Sequence, residues 1–137
     1  MLLNSNENLL SQSTPRIMKE TPQQQLAIGW TTFEKENDAQ ACAKALIEAN
    51  LAFCVQVESP VQSFYRWEGK VEESQEFPVR VKYIAAMDEK IQNWLRDNHP
   101  FETPQWIAIK ACTALPEYHS WSLQNFLPLS AEAKNKG

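Results

Sequence analysis

The sequence predicts a single α+β domain built around one antiparallel sheet, and two observations lead to this prediction. The chain has 137 residues, which suits one hydrophobic core but is short for two ordinary domains. Segments with the two-residue period of strands and segments with the helical period then follow one another as strand, helix, strand, strand, helix, strand. That order is the ferredoxin-like, or split βαβ, arrangement.

The two ends of the chain differ in composition from its middle. Residues 1–25 are rich in Asn, Ser, Gln, Thr and Pro, and their apolar residues follow neither period. This composition is typical of a flexible arm. After Pro128 the chain is polar again. We therefore expect an N-terminal arm over residues 1–25, a folded domain over residues 26–127 and a loose tail over residues 128–137.

The first strand and the first helix follow directly after the arm. Leu26, Ile28 and Trp30 alternate with small residues, which predicts a buried strand over residues 26–33 with these three side chains on one face. Apolar residues then recur at helical spacing, which predicts a helix over residues 38–50.

A long hairpin follows the first helix. Alternation begins at Leu51, resumes after Pro60 and continues to a tight turn at Glu68-Gly69, and the chain then returns as an extended stretch over residues 70–85. Proline interrupts ladder pairing, so we expect a bend or bulge at Pro60. Each arm has about fifteen residues, against about five or six in an average strand. The far part of the hairpin must therefore find partners outside one small sheet, which predicts an oligomer.

The second half of the domain completes the pattern. Ile91, Trp94 and Leu95 form an apolar stripe on a helix predicted over residues 88–98, residues 106–109 read as the last strand, and Pro116 begins an added C-terminal helix. Two helices would cover one face of the sheet. Since monomers rarely expose large apolar patches, we expect a second copy of the chain to cover the other face.

Composition and charge exclude several classes of protein. The net charge is −4, with Lys and Arg scattered along the chain, so we expect no nucleic-acid partner. No apolar run is long enough to span a bilayer and residues 1–25 do not resemble a secretory signal. We therefore predict a cytoplasmic protein without a membrane partner. Cys42, Cys54 and Cys112 have no CxxC spacing, and we expect them to pack as small apolar groups.

The sequence carries no recognised catalytic motif. It has three glycines and contains no GxGxxG, no Walker loop and no GxSxG, so neither a phosphate-binding loop nor a nucleophile elbow is present. We therefore expect a binding protein and not an enzyme.

Four segments, read together, resemble the CutA family of divalent-cation tolerance proteins over about residues 26–126. They are Thr31-Thr32, the segment Ala49–Val55, the hairpin Ser63–Lys70 and the loop His99–Pro104. The hairpin and the loop are the specific ones. The resemblance implies a homotrimer in which the long hairpins pair across subunits, a role in tolerance of divalent metals, copper binding, and a likeness in shape to PII signalling proteins.

The chain departs from the family pattern at five positions. Phe101 stands where many members have Tyr, and Gln105 stands where many have Glu. Trp30 replaces a cysteine proposed as a copper ligand in some members, and Asn98 replaces a neighbouring histidine. These substitutions predict weaker copper binding than the resemblance implies. Pro78 interrupts a strand position that is usually a plain apolar residue, which predicts a bulge or an edge there.

Two residues of the HPFETP loop are the candidate metal ligands. His99 offers an imidazole and Glu102 a carboxylate, which suit zinc, copper or another divalent cation. Metal sites generally need three or more ligands, so the alternative that His99 caps the helix end before Pro100 stays open.

A second candidate site lies on the hairpin. Tyr65, Trp67, Glu68 and Lys82 place aromatic and charged side chains on its two arms, where they form either a small-molecule cleft or a subunit interface. The sequence thus predicts a non-enzymatic trimeric binding protein involved in the response to divalent metal ions, with copper or another cation weakly bound. The alternative is a PII-like small-molecule signalling module or a protein-anchoring trimer.

Overall fold

The computed structural model describes residues 24–126. The predicted arm up to residue 23, residue 127 and the predicted tail over residues 128–137 lie outside this range. The predicted α+β class and its element order are confirmed, with an added 3-10 turn, Ala85–Met87, between the fourth strand and the second helix. The elements are β1 Leu26–Phe33, α1 Glu36–Glu48, β2 Cys54–Val57, β3 Val61–Trp67, β4 Lys70–Ile84, α2 Asp88–Asn98, β5 Ile107–Lys110 and α3 Pro116–Phe126.

The strand β4 organises the antiparallel sheet, whose order is β2-β4-β1-β5. Its second half pairs with β1, from Phe77 opposite Phe33 to Ile84 opposite Leu26, and with β2 on the other side. Its first half, residues 70–76, pairs with β3. The hairpin of β3 and residues 70–76 therefore projects beyond the four-stranded part of the sheet, as the long predicted hairpin requires.

The first arm of the hairpin is two strands and not one. The ladder stops at Val57 and resumes at Val61, so the interruption expected at Pro60 is complete. Of the bulge or edge predicted at Pro78, the structure has the edge and not the bulge. The register between β1 and β4 runs through Pro78 without a break, and the ladder with β2 ends at the neighbouring Val79. The Pro78 carbonyl accepts a hydrogen bond of 2.8 Å from the amide of Glu58, so its backbone polar groups face the region where β2 has already ended. The N–H group that proline lacks would have no strand partner at this position, so Pro78 removes no hydrogen bond from the sheet.

Some element boundaries differ from the prediction by one or two residues. Helix α1 begins at Glu36 and ends at Glu48, and Asn50 then adopts a left-handed conformation with φ 58°. Asparagine tolerates that conformation better than most residues, so it ends the helix. The last strand starts at Ile107, one residue later than predicted.

The core lies between one sheet face and the helices α1 and α2. On β1 this face carries Ala27, Thr31 and Phe33, whereas Ile28 and Trp30 lie on the other face and are half-buried. The prediction of a buried strand is confirmed, because six of its eight residues are buried. Alternation along a strand separates two faces, but it does not say which of them the helices cover. The residues of the buried cluster are Ala27, Phe33, Ala39, Cys42, Leu46, Ala52, Val79, Val81, Tyr83, Ile91 and Leu95.

The opposite sheet face is apolar and open on its β5 side, and it carries Lys82 and Arg80 opposite Ile28 and Trp30. Ile107 and Ile109 pair with Trp30 and Ile28, and their side chains are 63% and 58% exposed. Within residues 24–126 no helix is both long enough and apolar enough to cross a bilayer.

Candidate functional site

A cleft of about 980 Å³ lies between the projecting hairpin and the loop that follows α2. The hairpin contributes Phe64, Tyr65 and Trp67, and the loop contributes residues 100–103 and Gln105. Cavities of about 300–1,000 Å³ are typical of small-molecule sites, so the cleft has the size of a binding site.

The lining of the cleft is acidic. Glu34, Glu72, Glu76 and Glu102 contribute carboxylates, and no Lys, Arg or His is among the lining residues. Clefts lined by one sign of charge concentrate counter-ions, so this cleft favours cations.

The hairpin register explains how aromatic and acidic side chains meet. Tyr65 lies directly opposite Glu72, and residues directly opposite in an antiparallel pair share a face. Nearer the base of the hairpin, the hydroxyl of Thr32 donates a 3.1 Å hydrogen bond to a carboxylate oxygen of Glu76. The end of β1 is thereby tied to the start of the projecting hairpin.

His99 forms the link between β1 and the cleft loop. Its Nδ1 accepts a hydrogen bond of 3.1 Å from the Phe101 amide, so the ring proton is on Nε2. Nε2 donates in turn to the carbonyl of Thr32 at 2.8 Å. The imidazole stacks on Phe33 with ring centroids 4.2 Å apart, and Phe101 lies on it at 4.8 Å. Both nitrogens and the ring are therefore engaged inside the protein.

The surroundings of His99 favour its neutral form. Burial lowers the pKa of this imidazole, and the Thr32 carbonyl and the carboxylates of Asp38 and Glu76 oppose that effect without overcoming it. The neutral ring with its proton on Nε2 is the form that both hydrogen bonds require.

The structure places the two predicted metal ligands in different surroundings. Glu102 is exposed and lines the cleft, whereas His99 is 8% exposed and does not line it. Among residues 24–126, no three side chains of His, Cys, Asp or Glu come close enough together to hold a metal ion. Metal binding by His99 and Glu102 stays a prediction.

The cysteines are distributed over different environments. Cys42 is in the core, where burial raises the pKa of its thiol to about 12. Cys54 is half-buried, and Cys112 is exposed. The expectation that all three pack as small apolar groups is therefore wrong for Cys112, because it follows the end of β5 on the surface.

The four hairpin residues predicted to share a site do not all come together. Tyr65 and Trp67 line the cleft. Glu68 lies in the two-residue turn at the far end of the hairpin, with φ 49°. Lys82 lies on the four-stranded part of the sheet, with its ammonium 5.8 Å from the ring of Tyr118. A cleft or interface role for these residues stays a prediction.

Sequence reasoning missed three of the four cleft carboxylates, those of Glu34, Glu72 and Glu76. The signal for Glu72 was present, because a two-residue turn at Glu68-Gly69 determines the hairpin register. Counting back from that turn places Glu72 opposite Tyr65, as observed. Glu34 carried no comparable signal, because it joins the cleft only through the folding of β1 beside the hairpin.

A smaller cavity, of about 470 Å³, lies beside Asp88. The carboxylate of Asp88 accepts hydrogen bonds from the Tyr83 hydroxyl at 2.6 Å, from the Gln92 amide at 2.6 Å and from the Trp106 indole at 3.1 Å. Burial acts to raise the pKa of Asp88, but the three hydrogen bonds outweigh it and lower that pKa below its usual range. Asp88 therefore joins β4, α2 and the residue before β5.

A family model and the curated relatives of this chain point to the same protein family. The family model described as CutA1 divalent ion tolerance protein matches residues 27–125. The divalent-cation tolerance protein CutA of Thermus thermophilus is 34% identical over 94 residues, which cover 69% of this chain and 91% of that protein.

Solved structures with the same fold include one bacterial and one archaeal CutA. CutA from Synechococcus elongatus has a TM-score of 0.72 and 31% identity, with 78% of this chain and 93% of that chain covered. The periplasmic divalent cation tolerance protein CutA from Archaeoglobus fulgidus has a TM-score of 0.71 and 30% identity, with coverage of 74% and 98%.

Proposed function

This chain belongs to the CutA1 divalent ion tolerance family, and we propose that it is a non-enzymatic, homotrimeric protein that binds divalent cations in its acidic cleft. The observation that carries the proposal is the cleft lining, with four carboxylates and no basic side chain. No three acidic, His or Cys side chains of residues 24–126 are close enough to chelate one ion, so the cleft would hold a divalent cation weakly, through one or two carboxylates and retained water.

The donor atoms decide which cations fit. The cleft offers carboxylate oxygens and the hydroxyls of Thr32, Ser63 and Thr103, which suit hard cations such as Mg²⁺, Ca²⁺ and Mn²⁺. Copper(II) also accepts oxygen ligands, and it leads the affinity order for a given site. Copper(I) does not fit, because it prefers sulfur and no cysteine or methionine lines the cleft. Copper would therefore be held as copper(II), and weakly, because no three acidic, His or Cys side chains of residues 24–126 can chelate one ion.

Two surfaces support the trimer. The hairpin exposes Phe64 and Trp67 at 66% and 57%, and the outer edge of β3 has no strand partner within residues 24–126. The open sheet face exposes Ile107 and Ile109. Exposed strand edges and apolar patches of this kind are usually covered by another chain. Hairpins that pair across subunits would cover both.

Cation titration of the metal-stripped full-length chain tests the proposal. We expect Mn²⁺ and Cu²⁺ to bind, with heat measured by calorimetry, and we expect Glu102→Gln and Glu72→Gln each to weaken binding by about tenfold or more. Glu89→Gln is the matched control, because Glu89 is exposed on α2 and does not line the cleft. Absence of binding by the unmodified chain, or equal weakening by the control, would contradict the cleft assignment.

One observation favours a second candidate function. Phe64, Tyr65, Trp67 and Phe101 give the cleft an aromatic lining, which suits an organic ligand as well as it suits an ion. The alternative is therefore a PII-like small-molecule module or a protein-anchoring trimer. A thermal-shift screen with a metabolite panel distinguishes it, because an organic ligand would raise the melting temperature of metal-free protein. Cytoplasmic residence stays a prediction.

A further inference from the structure

We propose that His99 is a positioning residue, whose imidazole holds the loop over residues 100–105 in place as one wall of the acidic cleft. The inference rests on the proposed function, because it takes the cleft to be the binding site. It gives His99 a role other than that of a metal ligand.

The hydrogen bonds of His99 connect two walls of the cleft. Nε2 donates to the carbonyl of Thr32 at 2.8 Å, and Nδ1 accepts from the amide of Phe101 at 3.1 Å. Thr32 and Phe101 both line the cleft. The imidazole is therefore a bridge from the end of β1 to the loop, behind the cleft surface.

Two aromatic rings pack on the imidazole and fix its position between β1 and the loop. Phe33 stacks on the imidazole at 4.2 Å with an interplanar angle of 16°, and the Phe101 ring contacts it at 4.8 Å and 51°. The backbone amide of His99 also bonds to the carbonyl of Leu95 at 2.9 Å, which ends α2. The loop is thereby held at a fixed distance from both α2 and β1.

The same contacts leave no ring nitrogen for a cation. A metal at Nδ1 would displace the Phe101 amide, and a metal at Nε2 would displace the proton donated to Thr32. Either event releases the loop that carries Glu102. Cation binding by the cleft carboxylates and cation binding by His99 are therefore opposed.

Two conservative variants separate the two nitrogens. The carboxamide oxygen of Asn is placed near the position of Nδ1 and can accept from Phe101, whereas the amide nitrogen of Gln is placed near Nε2 and can donate to Thr32. In metal-free protein we expect the Phe101 amide to exchange with deuterium about tenfold faster in His99→Gln than in His99→Asn. We expect the affinity for Mn²⁺ to fall in both variants, because each variant breaks one end of the bridge between Thr32 and Phe101.

Equal Phe101 exchange in the two variants would overturn the inference. If neither variant folds, the role of His99 can still be tested by NMR spectroscopy of the unmodified chain. Imidazole ¹⁵N spectra should show His99 protonated on Nε2 and unprotonated on Nδ1. The two nitrogen signals should not change when Zn²⁺, used as a diamagnetic substitute for Mn²⁺, is titrated into the protein. The opposite tautomer, or a shift at either nitrogen on adding Zn²⁺, would also overturn it. If the unmodified chain binds no Mn²⁺, the proposed function fails, while Phe101 exchange still decides the role of His99.

Discussion

The indole of Trp106 lies so close to Gly29 that a Cβ at Gly29 would overlap the six-membered ring. The ring is held there by its N–H, which donates to Asp88 at 3.1 Å, and by the ring of Tyr83, whose centroid is 5.7 Å away. A residue with a side chain cannot occupy position 29 unless Trp106 moves.

Gly29→Ala should therefore destabilise the protein. Overpacking of a well-filled site costs about 1–3 kcal/mol, which denaturant unfolding would measure. In a Trp106→Leu background the added methyl group meets a smaller side chain, so the cost of Gly29→Ala should fall. An equal cost in both backgrounds would show that the indole is not the cause.

Thr31→Val should stabilise the protein. Thr31 is fully buried, and its hydroxyl has no hydrogen-bond partner within residues 24–126. Removing an unpaired buried hydroxyl from a position of similar shape should add about 1 kcal/mol to the free energy of unfolding. The neighbouring change Thr32→Val is the control, because it removes the hydrogen bond to Glu76 and should lower that free energy. Loss of stability in both variants would contradict the assignment.

Asp88→Asn should change how stability depends on pH. The pKa of Asp88 is lowered in the folded state, so its contribution is fully present above the unfolded pKa of about 4 and is lost as pH falls through the folded pKa. At pH 7 we expect the variant to lose about 1–3 kcal/mol. The difference between the two proteins should shrink below about pH 4. A difference that is independent of pH in unfolding measurements would be inconsistent with an ionised Asp88.

Val71→Asp should dissociate the proposed trimer. Val71 is exposed on the projecting hairpin, and an unpaired charge buried at an interface is strongly unfavourable. Light scattering at micromolar concentration should give three chain masses for the unmodified protein and one for the variant. Ile47→Asp is the control, because Ile47 is also exposed but lies on α1. A monomeric unmodified protein would refute the trimer directly.

The sequence by itself determined the order of the elements and the existence of the long hairpin. Periodicity and turn chemistry are local properties, so Leu26–Phe33, the turn at Glu68-Gly69 and the helix Asp88–Asn98 were predicted from neighbouring residues alone. The HPFETP loop and the hairpin motif likewise pointed to the family that the comparisons confirm.

Only the tertiary structure decided which face of β1 is buried and what His99 contacts. Burial of Ala27 and Thr31, with Trp30 on the other face, depends on where α1 and α2 pack. His99 bonds to Thr32, 67 residues away, and the carboxylates of Glu34 and Glu102 share a cleft. Such contacts join segments that are distant along the chain, and local patterns carry no information about them.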